Sequence, residues 1–354
     1  MSLPTTAASN QAKSDTFAAE LAPKTRHAGR VGAGAFAYLP SVEWQTALAE
    51  YDLSDVPAVA TDSQDRMYLF ARASSPILVF DADARFLWSW GEGLFVGPHG
   101  ISIGPDDAVY CTDYLDHTVR KFTPEGELLL TLGISGCASD TGATTVDYRQ
   151  IRQAGPPFSF PTNLAIAANG DLFVADGYGN ARIHRFNPDG ALLHSWGAPG
   201  AGPGEFHVPH GIAIDRAGLI YVADRENSRI QRFTPDGEYV DEWIDVARPC
   251  QVFIDRAGTV FVAELGYRAG MFPGNEAPTD DATGGRVSIF SPQGDLLARF
   301  GGGANPCSLG DFFAPHDICV DSRGDIYVSE VACAAGFSHL HGDGTFHSVQ
   351  KLTR

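Results

Sequence analysis

The stretch PTNLAIAANGDLFVADGYGNARIHRFNPDGALLHSWG, residues 161–197, contains the pattern that decides the fold. Apolar and polar residues alternate in short runs, and turns that close on glycine, such as NPDG, separate the runs. A period of two between glycine turns indicates short antiparallel strands joined as hairpins. The stretch is therefore predicted to be a four-stranded antiparallel sheet, the blade of a β-propeller.

The same unit recurs along the chain, and further copies begin at residues 57, 98, 209, 249 and 315. No helical period lies between the copies, so they predict an all-β, six-bladed β-propeller. We expect one propeller domain over residues 35–354, preceded by a polar N-terminal extension, residues 1–34. The last unit lacks a fourth strand. The strand-like segment FAYLPSVEWQ, residues 36–45, is predicted to complete it and close the ring.

The amino-acid composition limits the classes of molecule that the protein is expected to bind. The 354 residues include 43 acidic and 25 basic ones, a formal charge of -18, without a Lys/Arg-rich run. We therefore expect no nucleic-acid and no membrane partner. No apolar run approaches the roughly 20 residues of a membrane span, and the expected location is cytoplasmic. The six cysteines form no CxxC pair and are expected to be buried thiols, and the sequence leaves the oligomeric state open.

His99, His210 and His316 share one position, directly after the opening proline of units two, four and six. Alternate blades are related by threefold symmetry, so the three imidazoles are expected to converge on the central axis. Three nitrogen ligands with an open fourth position are typical of catalytic zinc, although iron, cobalt or copper would also suit them. One such histidine alone would be interpreted as a core residue. The remaining histidines are expected at the surface or in loops. In the other three units the position is assigned to Ala58, Thr162 and Cys250.

An acidic residue follows the second strand of five units, and these side chains are expected to bind neighbouring backbone: Asp113, Asp176, Asp224, Glu264 and Glu330. In unit one Ala71 takes that place and Arg72 follows it. Arg72 can bind a substrate carboxylate or pair with one of the acids. Tyr178, beyond the acid of unit three, is either a packing residue or a general base whose pKa a nearby dication lowers.

These motifs resemble a known family. The units look like NHL repeats, and FVADGYGNARIHRFNPDG, VPHGIAIDRAGLIYVADRENSRIQRF and APHDICVDSRGDIYVSE are similar to the catalytic core of peptidyl-α-hydroxyglycine α-amidating lyase. The resemblance implies a catalytic zinc ion on the three histidines, an active-site arginine at Arg72, a tyrosine base at Tyr178 and a further arginine at Arg225. It also implies a structural calcium ion held by the backbone carbonyls of Val59 and Ile101 and by Asp317.

The implied reaction is the cleavage of a carbinolamide C–N bond, in an N-acyl-α-hydroxyglycine or a ureidoglycolate-like molecule, to an amide and glyoxylate or a related aldehyde. The substrate is expected to bear a carboxylate. Gly179 stands where animal members have a disulfide-forming cysteine, and residues 135–159 and 266–285 are expected to form loops over the channel mouth. Two rival functions stay open: a non-catalytic NHL propeller that binds proteins, and a calcium-dependent lactonase, whose metal site uses acidic and amide side chains.

Overall fold

The computed structural model of the protein describes residues 29–51, 53–268, 283–337 and 346–354. Its strands form six antiparallel sheets that follow one another along the chain, so the predicted six-bladed, all-β propeller is confirmed. Within the described ranges, no helix combines the length and the apolar character that a bilayer span requires. Residues 1–28 of the predicted extension and residues 269–282 of the predicted second loop lie outside the described residues.

Each blade is built from consecutive strands, innermost first. Two N-terminal strands, β1 (Val31–Ala33) and β2 (Phe36–Pro40), precede helix α1 (Val42–Leu48). The strands of blades 1 to 3 are β3 (Ala58–Thr61), β4 (Met67–Phe70), β5 (Ile77–Phe80), β6 (Phe86–Trp90), β7 (Pro98–Ile103), β8 (Val109–Asp113), β9 (Thr118–Phe122), β10 (Leu128–Gly133), β11 (Asn163–Ile166), β12 (Leu172–Asp176), β13 (Arg182–Phe186) and β14 (Leu192–Trp196). The strands that follow, a parallel pair and then blades 4 to 6, are β15 (Ala198–Pro199), β16 (Glu205–Phe206), β17 (Pro209–Ile214), β18 (Ile220–Asp224), β19 (Arg229–Phe233), β20 (Tyr239–Trp243), β21 (Pro249–Ile254), β22 (Val260–Glu264), β23 (Arg286–Phe290), β24 (Leu296–Gly301), β25 (Pro315–Val320), β26 (Ile326–Glu330) and β27 (Val349–Thr353).

An N-terminal strand closes the ring, as predicted. β2 pairs antiparallel with β27 and so becomes the fourth strand of blade 6, with β1 beyond it. The predicted strand over residues 36–45 is too long, because the chain turns into α1 after Pro40. The Ser41 side chain accepts a hydrogen bond from the Trp44 backbone N–H, an N-cap that starts a helix. Trp44 is 2% exposed and fixes this helix to the core.

The innermost strands surround a central channel. Each contacts the innermost strand of the next blade, in the cyclic order β3, β7, β11, β17, β21 and β25. The acids that follow the second strands hold the loops that lead into these strands. Asp113, for example, accepts hydrogen bonds from the backbone N–H groups of Val96 at 2.7 Å and Gly97 at 2.8 Å. The backbone-binding role predicted for these acids is therefore correct.

A β-bulge aims the repeated histidine at the axis. Pro98 pairs with Asp113 and Gly100 pairs with Thr112, so His99 lies between two paired residues without a partner of its own. The same irregularity occurs at the corresponding positions of blades 4 and 6, where the unpaired residues are His210 and His316. A bulge of this kind redirects one side chain out of the regular alternation.

The bulge also corrects the alignment of the first unit. Ala58 pairs with Phe70 as Gly100 pairs with Thr112. The residue equivalent to His99 is therefore Pro57 rather than Ala58. A one-residue bulge is invisible in the apolar pattern, which counts residues rather than pairs.

Aspartates join blade 1 to both of its neighbours at the far end of the channel. Asp65 accepts hydrogen bonds from the backbone N–H and the hydroxyl of Ser322 in blade 6, at 2.8 and 2.6 Å. Asp107 of blade 2 binds Ser63 of blade 1 in the same way. Both aspartates have a left-handed φ, 57° and 59°, where the equivalent residue of blade 6, Gly324, has a φ of 86°. The two turns are thus strained by a left-handed residue other than glycine, and the hydrogen bonds between blades offset that strain.

Candidate metal centre and its cavity

Three imidazoles meet on the channel axis. The ring centroids of His99 and His210 lie 4.9 Å apart, those of His99 and His316 lie 4.8 Å apart, and those of His210 and His316 lie 4.6 Å apart. All three side chains are buried, and one nitrogen of each lies within 4.8 Å of the others. Within the part of the chain that the structure describes, no other group of three His, Cys, Asp or Glu side chains meets this criterion.

The outer nitrogen of each ring is held by a backbone carbonyl of the next blade. The three Nδ1 contacts are His99 to Thr162 O at 2.7 Å, His210 to Cys250 O at 2.9 Å and His316 to Pro57 O at 2.7 Å. A carbonyl only accepts, so each Nδ1 bears the proton and each Nε2 presents its lone pair inward. Hydrogen bonds of this type orient metal-binding histidines.

Burial keeps the rings uncharged. It lowers the pKa of His316 to about 3 and holds the pKa values of His99 and His210 well below the ordinary range. The positive charges of Arg72 and Arg225 act in the same direction on His99 and His316. Neutral imidazole is the form that binds a metal ion.

Tyr178 lies against the same nitrogens. Its hydroxyl oxygen is 3.0 Å from Nε2 of His99 and 3.0 Å from Nε2 of His210. The single hydroxyl proton of Tyr178 can be donated to only one Nε2 lone pair at a time. The Nε2 lone pairs of all three histidines nevertheless point into the same space. The donor set therefore fits a cation. Three neutral nitrogens of this kind suit zinc and its first-row neighbours.

A guanidinium group covers the Tyr178 phenol. Arg225 donates from Nη1 to the phenol oxygen at 3.4 Å, and its central carbon lies 5.3 Å from the ring centroid. Burial raises the pKa of Tyr178, and the positive charges of Arg225 and Arg72 act to lower it.

Arg72 lies at the edge of the site. It donates from Nη1 to Asp55 Oδ2 at 3.4 Å, and its side chain stays 27% exposed. Asp55 is not one of the five acids considered as its partner. The guanidinium also lies 5.9 Å from the centroid of the Tyr114 ring. One carboxylate at this distance leaves Arg72 able to receive a second anion.

The candidate metal centre adjoins a cavity of about 380 Å³, which His316 lines but His99 and His210 do not. Arg72, Tyr178, Arg225 and His316 form its polar side. Its apolar side is formed by Val146, Leu265, Val331 and Ala335. Val146 belongs to the segment 135–159, so this part of the predicted loop lies at the cavity. The cavity thus offers cationic groups beside an apolar wall.

The residues predicted to bind calcium line a second cavity, of about 950 Å³, which His316 does not line. There Asp317 accepts hydrogen bonds from the backbone N–H groups of Val59 at 3.1 Å and Ile318 at 2.7 Å. Burial raises the pKa of Asp317 to about 7. Val59, Ile101 and Asp317 are thus brought together, and the calcium ion itself stays a prediction.

Several side chains differ from the sequence-based expectation. Cys137 and Cys333 are exposed, whereas Cys111, Cys250 and Cys319 are buried as expected. His184 lies in strand β13 at 0% exposure rather than at the surface or in a loop, whereas His117 lies in the turn after β8, where it is buried at 7% exposure. Tyr114 at the cavity was not singled out, although it directly follows the acid of its blade as Arg225 does in blade 4. The sequence analysis also does not identify Glu226, which binds Arg225, or Arg248, which binds Glu226.

The fold and its repeats define a six-bladed NHL-repeat propeller. The NHL repeat family matches residues 158–186 and 206–233. The chain resembles peptidyl-α-hydroxyglycine α-amidating lyase. It is 32% identical over 280 residues to lyase 1 of Drosophila melanogaster, an alignment that covers 73% of this chain and 47% of that protein. The chain thus spans about half the length of this relative.

Two further comparisons bear on the class of protein. The chain is 29% identical over 302 residues to NHL repeat-containing protein 3 of Mus musculus, covering 80% of this chain and 78% of that one. A solved gluconolactonase from Xanthomonas campestris superposes with a TM-score of 0.55 at 14% identity, covering 92% of this chain and 94% of that chain. At this identity the superposition supports the propeller fold alone.

Proposed function

We propose that the protein is a zinc-dependent lyase that cleaves the C–N bond of a carbinolamide, an N-acyl-α-hydroxyglycine or a ureidoglycolate-like molecule. The observation that carries the proposal is the convergence of three neutral imidazoles, within 4.8 Å of one another, beside Tyr178 and Arg225. The similarity to amidating lyases supports a carbon–nitrogen lyase reaction at this site.

His99, His210 and His316 would hold the metal ion. A divalent cation bound there supplies Lewis acidity, which makes a hydroxyl proton of the substrate easier to remove. The Tyr178 oxygen, between two of these histidines and Arg225, is placed to take that proton. Arg225 favours the ionised phenol because its guanidinium contacts the oxygen.

The reaction balances with these groups. The hydroxyl proton passes to the Tyr178 phenolate, the C–O bond becomes a carbonyl, and the C–N bond breaks with its electron pair on nitrogen. The nitrogen then takes that proton from the Tyr178 phenol and departs as a neutral amide, which regenerates the phenolate, and the other product is glyoxylate or a related aldehyde. Arg72 is placed to bind the substrate carboxylate at the cavity edge, and the apolar wall suits an acyl group.

We further propose a structural calcium ion on the carbonyl oxygens of Val59 and Ile101 and the Asp317 carboxylate. Oxygen ligands of this type are the ones calcium prefers. Asp317 follows His316 directly, so one bulged strand would support both ions.

Two other functions have specific support. A protein-binding propeller is the first rival, because the chain is also similar to NHL repeat-containing protein 3, whose name states no reaction. Protein binding gives no reason for three buried imidazoles to meet on the axis. The likeness to a gluconolactonase makes a lactonase the second rival. Three histidines at the candidate metal centre differ from the acidic and amide ligands expected of a calcium-dependent lactonase.

The test is turnover by zinc-loaded protein. We expect glyoxylate release from α-hydroxyhippurate and no opening of gluconolactone. Arg72→Ala should raise KM about tenfold or more, because the carboxylate loses its charged partner. Arg85→Ala, an exposed arginine in the same blade, is the matched control and should behave as the unmodified protein. Lactone opening without glyoxylate release, or no turnover of either compound, would reject the proposal.

A further inference from the structure

Two buried arginines share one buried glutamate next to the candidate metal centre. Arg225 donates from Nε to Glu226 Oε1 at 2.7 Å. Arg248 donates from Nη2 to the same oxygen at 3.1 Å and from Nε to Glu226 Oε2 at 3.2 Å. The side chains of Glu226 and Arg248 are 1% exposed and that of Arg225 is 2% exposed. This set of three residues is called the Arg–Glu–Arg cluster below.

Arg248 is exceptional among the six blades. It occupies the position directly before the opening proline of blade 5, which in blades 2, 3, 4 and 6 holds Gly97, Phe160, Val208 and Ala314. In blade 1 the corresponding residue is Asp55, whose carbonyl accepts from the Arg72 N–H as the Arg248 carbonyl accepts from the Leu265 N–H. A buried guanidinium carries a large desolvation penalty unless it is paired. The fold alone does not require a charge here, since four of its six blades do without one.

The cluster leaves one edge of Arg225 for the active site. Glu226 engages Nε, while Nη1 donates to the Tyr178 oxygen at 3.4 Å. Arg248 binds both carboxylate oxygens of Glu226 and also donates from Nη1 to Gly266 O at 3.1 Å. Burial acts to raise the pKa of Glu226, but the two guanidinium groups hold it below its ordinary value. Glu226 is therefore ionised, and the cluster carries one net positive charge beside the cavity.

We propose that Glu226 and Arg248 are a positioning pair, which fixes the guanidinium of Arg225 against the Tyr178 oxygen. This inference rests on the proposed function for its consequence in turnover, since Arg225 is the group that meets the reacting atoms. Glu226 sets the rotation of the Arg225 guanidinium through Nε. Arg248 fixes Glu226 by a two-point contact that a single-point cation such as lysine does not reproduce.

Arg248→Met is the informative variant, because it places an apolar side chain at a position where four of the other blades fold without a charge. We expect kcat for α-hydroxyhippurate to fall about tenfold or more, a loss typical of residues that orient an active-site group. KM and zinc content should change much less. The melting temperature should fall, because Glu226 loses one of its two buried partners, while the circular dichroism of a folded propeller is kept. Glu226→Gln combined with Arg248→Met should lower kcat further, and Arg248→Lys should regain only part of the loss. Arg299→Met, an arginine of the same blade that pairs with Asp245, is the matched control.

A second measurement on metal-free protein needs no turnover. In a proton–nitrogen spectrum of the arginine Nε–H groups, the Arg225 signal, identified by its loss in Arg225→Lys, should be sharp and slow to exchange. It should broaden or exchange faster in Arg248→Met and not in Arg299→Met. An unchanged Arg225 signal, or kcat within twofold of the unmodified enzyme, would overturn the positioning pair. Absence of turnover in the unmodified enzyme would instead reject the proposed function, and the spectrum would then decide the inference.

Discussion

Replacing Tyr178 with phenylalanine removes one oxygen where three groups meet. That oxygen is 3.0 Å from Nε2 of His99, 3.0 Å from Nε2 of His210 and 3.4 Å from Nη1 of Arg225. Its single proton serves one histidine at a time, and 3.4 Å is long for a hydrogen bond. The metal-free protein should therefore lose the equivalent of one to two hydrogen bonds, about 1–2 kcal/mol in the free energy of unfolding. The ring stays, so no cavity adds to this loss.

Zinc should reduce the stability loss that Tyr178→Phe causes, and the zinc-loaded protein also allows the loss of turnover to be measured. When the Nε2 lone pairs bind the metal ion, only the Arg225 contact is left to lose, a change below about 1 kcal/mol. Glyoxylate release should fall by about 10²–10⁴-fold, as expected for removal of a general base. Urea unfolding with and without zinc measures the first quantity, and steady-state turnover measures the second. Tyr110→Phe, in another blade, is the control. Equal stability losses in both forms, or turnover within threefold of the unmodified enzyme, would refute the reasoning.

Three further predictions concern stability. Asp65→Ala should lower the free energy of unfolding by about 1 kcal/mol more than Asp65→Gly does. Both variants lose the hydrogen bonds to Ser322, but only alanine is strained at a φ of 57°. Equal losses in urea unfolding would contradict this prediction. Burial raises the pKa of Glu330 to about 7 from 4.5 in the unfolded chain, so its contribution is present below about pH 4.5 and is lost as the pH rises through 7. The unmodified protein should lose up to about 3 kcal/mol over this range relative to Glu330→Gln, and parallel pH profiles of the two would show that the shift is absent. Calcium should raise the melting temperature of the unmodified protein but not that of Asp317→Asn. An equal rise in both would show that calcium does not bind at Asp317.

The sequence predicts the blades well because each one repeats the same local signals. Apolar alternation, glycine turns and an acid after the second strand recur in fixed order, so a single well-marked copy, residues 161–197, suffices to find the others. The ring closure by β2 also follows, because an unpaired strand and an incomplete blade complement each other. The helix after Pro40 was missed, since a local cap at Ser41 outweighs the apolar pattern there.

The candidate site is predicted only in part. The histidines can be found because they recur at one position of the repeat, and a repeat position defines a place in space. Arg225 enters through the family resemblance alone. Arg248, which binds the Glu226 partner of Arg225, is 23 positions away along the chain and belongs to the next blade. Contacts between blades depend on the ring geometry and on the turns before the opening proline. The apolar periodicity of a single blade therefore cannot predict them.

The central claim is that His99, His210 and His316 bind a transition metal ion. Metal analysis of protein purified without added metal tests it most directly. We predict about one zinc ion per chain. His99→Ala, His210→Ala and His316→Ala should each lose that metal while keeping the circular dichroism of a folded propeller. A folded protein without any transition metal, or variants that keep the full metal content, would contradict the account.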